Sequence, residues 1–221
     1  MKNLNRYIEH TALHAAVNEQ DIQTVLNQAK KYNFLGVCIP PFWVKKAKRE
    51  LSELDIQLVT VVGFPLGYSM TQTKVFETEQ AIKDGADEID VVWSITGFKS
   101  RMNWPKIELA RLANLCHEEE KLLKVIIETA LLQEEELLEA CHICTDAGVD
   151  FVKTSTGFAD KGAQIATIQR MREILPSQVG IKASGGIKTL DQAEAMIAAG
   201  ADRIGTSSGH LILEAWQDKN P

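Results

Sequence analysis

Three short stretches decide the fold: Glu88-Ile89-Asp90-Val91-Val92, Phe151-Val152-Lys153-Thr154-Ser155 and Gly180-Ile181-Lys182-Ala183-Ser184. Each is a largely apolar run with a charged residue at its centre. Runs this apolar read as parallel strands covered on both faces. Side chains alternate along a strand. Ile89, Val91, Val152 and Ile181 therefore share one face, towards helices, while Asp90, Lys153 and Lys182 share the other. Lys153 and Lys182 lie 29 residues apart, one strand–helix repeat, and Asp90 and Lys153 lie 63 apart, two repeats. A closed barrel puts all three inside, at similar height, towards the end where barrel sites are found.

Working outward, the same pattern recurs. Tyr7–Thr11, Leu35–Pro40, Gln57–Phe64, Leu122–Glu128 and Asp202–Thr206 read as strands beside Glu88–Trp93, Asp150–Ser155 and Val179–Ala183. Helical stretches alternate with them: Glu19–Tyr32, Thr71–Asp84, Asn103–Glu118, Gln133–Ala147, Ala163–Leu175 and Thr189–Ala199. Glycine or proline stops most of these helices. Three of them end in a near-repeat, Asp84-Gly85-Ala86-Asp87, Asp146-Ala147-Gly148-Val149-Asp150 and Ala199-Gly200-Ala201-Asp202. Eight such units in 221 residues predict an α/β fold, a single (β/α)8 TIM-barrel domain over residues 1–221. A doubly wound open sheet is the alternative, weakened because no G-x-G-x-x-G opens the first helix. No Pro/Gly/Ser-rich linker divides the chain.

Composition narrows the function classes. With 45% hydrophobic and 24% charged residues the chain is an ordinary globular protein, not a disordered one. A net charge of −6 and a pI near 5.4 speak against nucleic-acid binding. Cys38, Cys116, Cys141 and Cys144 do not make a secreted disulfide framework at this length. The start, Met1-Lys2-Asn3-Leu4-Asn5-Arg6-Tyr7, has no apolar signal region, and no apolar run approaches the ~18 residues of a membrane span. A cytoplasmic location, with no membrane partner, is the expectation.

Two lysines on adjacent staves are costly unless they do chemistry. One carboxylate, Asp90, satisfies two ammoniums poorly, though a purely structural ion-pair network is the competing reading. At about 5 Å and an effective dielectric of about 20, their repulsion is about 3 kcal/mol, or about 2 pK units. A lysine shifted down by that much can attack a carbonyl to form a Schiff base. Glycine-rich turns follow the last strands: Ser184-Gly185-Gly186-Ile187, and Gly205-Thr206-Ser207-Ser208-Gly209, with Thr156-Gly157 after Lys153. Backbone N–H groups at helix starts bind anions, and the loops after strands 7 and 8 are the usual phosphate site of a barrel.

These segments resemble the deoxyribose-phosphate aldolase family. Lys153-Thr154-Ser155-Thr156-Gly157-Phe158, Lys182-Ala183-Ser184-Gly185-Gly186-Ile187-Lys188-Thr189 and Glu88-Ile89-Asp90-Val91-Val92 look like its three signature segments. Val59–Gly67, Lys74-Val75-Phe76-Glu77, Leu123–Thr129, Ile8-Glu9-His10-Thr11 and Cys38-Ile39-Pro40 match further segments, so the resemblance spans almost the whole chain. It implies a TIM-barrel class I aldolase, without metal or cofactor, that cleaves 2-deoxy-D-ribose 5-phosphate to D-glyceraldehyde 3-phosphate and acetaldehyde. By that resemblance Lys153 is the Schiff-base lysine, Lys182 lowers its pKa and relays protons, and Asp90 is the acid/base partner working with water. Gly157, Gly185, Gly186, Gly205, Ser207 and Ser208 would line the phosphate pocket. The family habit implies a homodimer and small phosphorylated-sugar and aldehyde partners.

Two segments depart from the pattern. Trp93-Ser94-Ile95-Thr96-Gly97 stands where smaller residues are expected and would reshape the pocket near Asp90; Ala12-Leu13-His14-Ala15-Ala16 would alter the rim. A transaldolase-like Schiff-base enzyme and a phosphate-binding barrel without turnover are the alternatives. Cys141-His142-Ile143-Cys144 reads as helix packing, and His10 with His14 lacks a third zinc ligand. Cys38, at a strand end by the barrel mouth, reads as a small buried hydrophobe, with an exposed thiol as the alternative. Lys124 and Glu128 share a strand face and could pair or join the polar core.

Overall fold

The three charged strands lie in one sheet that closes on itself, the two lysine-bearing ones side by side. In chain order the strands are β1 (Ile8–Thr11), β2 (Gly36–Ile39), β3 (Gln57–Val62), β4 (Glu88–Val92), β5 (Leu122–Ile126), β6 (Phe151–Lys153), β7 (Gly180–Ser184) and β8 (Arg203–Thr206). Each pairs in parallel with the next, and β8 pairs with β1. The helices are α1 (Glu19–Tyr32), α2 (Val44–Leu51), α3 (Thr71–Asp84), α4 (Ile95–Lys99), α5 (Trp104–Glu118), α6 (Glu134–Asp146), α7 (Ile165–Ile174), α8 (Leu190–Ala198) and α9 (Gly209–Lys219). This is a (β/α)8 barrel. The computed structural model describes residues 3–51 and 53–220. Met1, Lys2 and Pro221, the ends of the expected 1–221 domain, lie outside the described residues, as does Ser52.

Helices α1 and α3 keep the bounds expected from sequence. In α1 the Asn18 side chain accepts from the N–H groups of Gln20 and Asp21, and Asp21 returns the bond to Asn18 N, a reciprocal cap. Helices α2 and α4 had no sequence expectation. The buried stripe of α2 is only Val44, Ala47 and Leu51, too few positions for periodicity to show. β6 stops at Lys153, two residues early. There the Thr154 hydroxyl takes over from the ladder, accepting from Ser184 N at 3.1 Å and lying 3.2 Å from Ser184 O.

The near-repeat at the helix ends is a latch between strands. Gly85, Gly148 and Gly200 turn the chain with φ of +107°, +77° and +112°. The following aspartates, Asp87, Asp150 and Asp202, then hold the preceding strand twice. Their backbone N–H groups donate to the carbonyls of Leu58, Leu123 and Ile181. Their carboxylates accept from the N–H groups of the same three residues, at 3.0, 2.7 and 2.8 Å. Three of the eight strands, β3, β5 and β7, are thus fixed in register at their starts, and β5 and β7 carry Lys124 and Lys182 into the interior.

The main core lies between sheet and helices, where Ile89, Val91, Val125, Val152, Ile181 and Ile204 are fully buried. The barrel interior is divided. On the β2–β3 side it is apolar, with Cys38, Val59 and Val61 packed against Leu13 and Phe64. The remaining staves carry charge.

Candidate active site

Lys153 on β6 and Lys182 on β7 are register partners. Asp90 reaches them from β4. Its Oδ2 accepts from Lys153 Nζ at 2.8 Å and from Lys182 Nζ at 2.7 Å. Its Oδ1 accepts from Lys124 Nζ at 3.0 Å. Two further carboxylates enter the barrel, and Asp90 is therefore not the sole inward acid expected from sequence. Glu9 on β1 bonds Lys182, and Glu88 on β4 lies 2.5 Å from Lys124. Arg203 on β8 reaches Glu9 at 3.3 Å and Glu88 at 3.4 Å. Among the described residues the interior thus sets three carboxylates against four cations, one positive charge in excess. The structural network weighed as an alternative is present, and it surrounds the two lysines rather than replacing them.

This network sets the protonation states. Burial alone would raise the Asp90 carboxyl, but the ammoniums of Lys124, Lys153 and Lys182 outweigh it and hold it well below the usual carboxylate range. Glu9 is lowered too, against the pull of burial, by Lys124 and Lys182. Burial would lower Lys182, yet Asp90 and Glu9 overcome it and hold its ammonium above the ordinary lysine value. At neutral pH Asp90 can accept a proton but stores none, whereas Lys182 has one to give. The repulsion between the two lysines is offset by carboxylates, Glu9 on Lys182 and Asp90 on both.

Above the network opens a cavity of about 660 Å³, and among the described residues Lys153 is the network member that lines it. Its walls include Thr156, Gly157 and Phe158 after β6, Ser184 to Lys188 after β7, Gly205 to Ser207 at β8, and Thr11 to His14 after β1. Gly186 has φ +79°, and a Cβ there would meet nothing within 4 Å, so the turn leaves open space in front of its backbone. The turn precedes α8 by three residues instead of forming its first turn, because Thr189 caps that helix through Gln192 N. On the inward face of β8, Gly205 makes room for Lys182, whose Cε lies 3.1 Å from where a Cβ would stand.

A model of the DeoC/LacD family of aldolases matches residues 5–217. The chain belongs to that family. A deoxyribose-phosphate aldolase of Lactococcus lactis is 46% identical over 211 residues, 96% of each chain. One of Clostridium botulinum is 48% identical over 212 residues, covering 96% of this chain and 99% of that one. Among solved structures, one described as an aldolase superposes with a TM-score of 0.93 at 38% identity, covering 99% of this chain and 98% of that one. The deoxyribose phosphate aldolase of Aeropyrum pernix, described as a tetramer, superposes with a TM-score of 0.91 at 32% identity, covering 98% and 92%. The protein is an aldolase, a carbon–carbon lyase.

Against that family frame, the residues singled out in sequence fall into three groups. Asp90, Lys153 and Lys182 meet within hydrogen-bond distance. Gly157, Gly185, Gly186, Gly205 and Ser207 line the cavity with Lys153. Ser208 stands outside that lining, its N–H turned 2.9 Å onto Thr206 Oγ1. Trp93 does not reshape the pocket: it points outward, buried, with its indole N–H on Ile127 O at 3.1 Å and its ring 4.5 Å from that of Phe98. Cys38 is buried against the apolar side, its thiol pushed up to about 11 by desolvation. Cys141 and Cys144 are buried in α6. His10 bonds Gln28 at 2.6 Å while His14 sits at the rim, 3.6 Å from Asp21. Lys124 joins the network and Glu128 does not, accepting from Thr156 N at 3.2 Å and Thr156 Oγ1 at 2.5 Å. Glu9, Glu88 and Arg203 were missed. Glu88 carried a signal, lying two residues before Asp90 on the same strand face. Arg203 lies near the edge of the Asp202–Thr206 run, and Glu9 at the centre of Tyr7–Thr11, a run with too few apolar residues for an inward charge to stand out.

Proposed function

We propose that this aldolase reversibly cleaves 2-deoxy-D-ribose 5-phosphate to D-glyceraldehyde 3-phosphate and acetaldehyde through an imine on Lys153. The observation that carries the reading is a primary amine at the floor of the cavity, bonded at 2.8 Å to a carboxylate that also binds a second, buried lysine. Relatives named for this activity over nearly their full length support the substrate.

The chemistry follows from the three groups. The Lys153 amine adds to the C1 aldehyde and water leaves, giving an iminium. A base takes the proton of the C3 hydroxyl, the C2–C3 bond breaks, and its electron pair moves into the iminium to give an enamine. Asp90, ionised, can receive that proton through water. The enamine then takes a proton at C2, which the Lys182 ammonium can supply, and hydrolysis frees acetaldehyde and Lys153. Burial opposes ionisation of Asp90, but the ammoniums of Lys124, Lys153 and Lys182 around it hold it as the carboxylate that takes up the C3 hydroxyl proton.

The 5-phosphate is assigned to the open turn at Gly185–Gly186, with Gly157, Gly205 and Ser207 beside it. Lys188, on the same wall, adds a positive charge. Ser208, the remaining member of the set expected from sequence, stands just before α9 and holds the turn through its N–H on Thr206 Oγ1. We place the enzyme in the cytoplasm as one barrel domain, acting without metal or cofactor. We assign it a homodimeric state, for which the exposed apolar side chains of Phe42, Leu66, Tyr68 and Met70, on the adjacent β2–α2 and β3–α3 loops, offer a surface. A coupled assay for glyceraldehyde 3-phosphate release from deoxyribose 5-phosphate tests the substrate. Activity on that sugar supports the reading, and release of a different aldehyde from a larger ketose phosphate alone refutes it.

A further inference from the structure

Two chemically identical amines stand on neighbouring staves, and something must decide which one attacks. Asp90 cannot: its Oδ2 lies 2.8 Å from Lys153 Nζ and 2.7 Å from Lys182 Nζ. The asymmetry comes from β1. Glu9 bonds Lys182 from the far side and makes no contact with Lys153 among the described ion pairs. The Lys182 side chain crosses the bare backbone of Gly205 to reach it. Lys182 therefore has two carboxylate partners and no exposure, while Lys153 has one and opens onto the cavity. Glu9 is itself held in place, 3.3 Å from Arg203 and 3.7 Å from Lys124.

We propose that Glu9 is a positioning residue for the aldol reaction: it keeps Lys182 as the proton-donating ammonium and thereby reserves nucleophilic attack for Lys153. The inference rests on the aldolase reading above. The groups facing Lys182 are Glu9, Cys38, Asp90, Lys124, Lys153 and Arg203, drawn from six different strands. Glu9 and Asp90 are the two carboxylates that bond it. Removing the Glu9 charge leaves Lys182 and Lys153 sharing a single acceptor, in an interior whose positive excess has grown to two. The Lys182 proton is then released at lower pH, and the distinction between the two amines is lost.

The test compares Glu9→Gln with Glu88→Gln. Glu88 belongs to the same network but touches Lys124 and Arg203, not Lys182. Wild type and each variant are treated with acetaldehyde and borohydride between about pH 6 and 11, and the labelled lysine is mapped by peptide mass spectrometry beside the pH profile of kcat/KM. Glu9→Gln should carry label on Lys182 as well as Lys153, with the alkaline limb moved down by at least about one pH unit. Glu88→Gln and Glu9→Asp should label Lys153 alone and keep the limb. Identical labelling and limbs in Glu9→Gln and Glu88→Gln would overturn the proposal. Should Glu9→Gln not fold, Lys153→Met decides: no label near neutral pH supports it, and label on Lys182 overturns it. The two readings fail separately, because an unlabelled wild-type enzyme removes the imine mechanism itself, whereas a wild type labelled at Lys153 leaves only the role of Glu9 in question.

Discussion

Replacing Asp90 by Asn should do more damage to the fold than any other single charge removal in the barrel, and the charge arrangement says why. Asp90 accepts from three ammoniums at 3.0, 2.8 and 2.7 Å. At about 3 Å and an effective dielectric of about 20, each contact is a gross attraction of about 5 kcal/mol. Most of that is offset by desolvation, and the net loss on breaking a buried pair is about 3–5 kcal/mol. For a chain of this size, one kcal/mol moves the melting temperature by about 2–4 °C, so Asp90→Asn should melt about 6–20 °C lower. Lys182→Met should cost less, because it removes one cation from an interior that has one too many. In the same Asp90→Asn protein Lys153 keeps its amine. Borohydride trapping with acetaldehyde should persist while turnover falls by at least about a hundredfold, the usual scale for lost acid–base catalysis. Thermal melts and trapping, measured on one preparation, check both. A melting point within about 2 °C of wild type, or a larger drop in Lys182→Met, would refute the charge count. Near-normal turnover would make Asp90 structural and leave water or Glu128 to move the proton.

The phosphate assignment predicts that deoxyribose lacking its 5-phosphate loses at least about a hundredfold in kcat/KM, because remote binding energy positions the reacting carbon. Gly186→Ala strains the backbone at φ +79°, and Gly186→Asp adds a charge to the same strain. The aspartate should cost more than the alanine on the phosphorylated sugar and no more on the free one; equal penalties on both sugars would contradict the site. Asp90 and Glu9 are both held below ordinary carboxylate values. The unfolded chain takes up its protons first, near about pH 4, so their stabilisation is complete above about pH 5 and is lost as pH falls from there. Melting temperature followed from pH 6 to pH 3 should drop accordingly, and a flat profile would count against the network. Activity should survive EDTA, since a Schiff base needs no Lewis acid; loss on chelation with recovery on zinc would point to metal chemistry.

The fold was legible because strand and helix signals agreed along most of the chain. Short apolar or β-branched runs stand at seven of the strands, the alternation supplied the eighth at Tyr7–Thr11, and α1 and α3 have the bounds read from sequence. What failed was short or replaced by side chains. α2 is eight residues long with a three-residue stripe, and β6 ends where Thr154 substitutes its hydroxyl for ladder bonds. The near-repeat was visible as a helix stop, but the aspartate latch depends on a neighbouring strand that no linear reading supplies. The site was legible at Asp90, Lys153 and Lys182, because a charge inside an apolar strand is conspicuous. Its electrostatics were not. Glu9 lies 173 residues from Lys182, and only barrel closure through β8 and β1 brings them together. Trp93 shows the same limit from the other direction. One position past the inward residue Val92, it belongs to the outer core, so a bulky side chain there leaves the pocket untouched.

The central claim is that Lys153 is the amine that becomes covalently attached to substrate. Borohydride reduction of the wild-type enzyme in acetaldehyde, followed by digestion and mass spectrometry, tests it most directly. The account predicts a single two-carbon adduct on the peptide carrying Lys153, with Lys182 unmodified near neutral pH. An adduct on Lys182 with Lys153 free would contradict it.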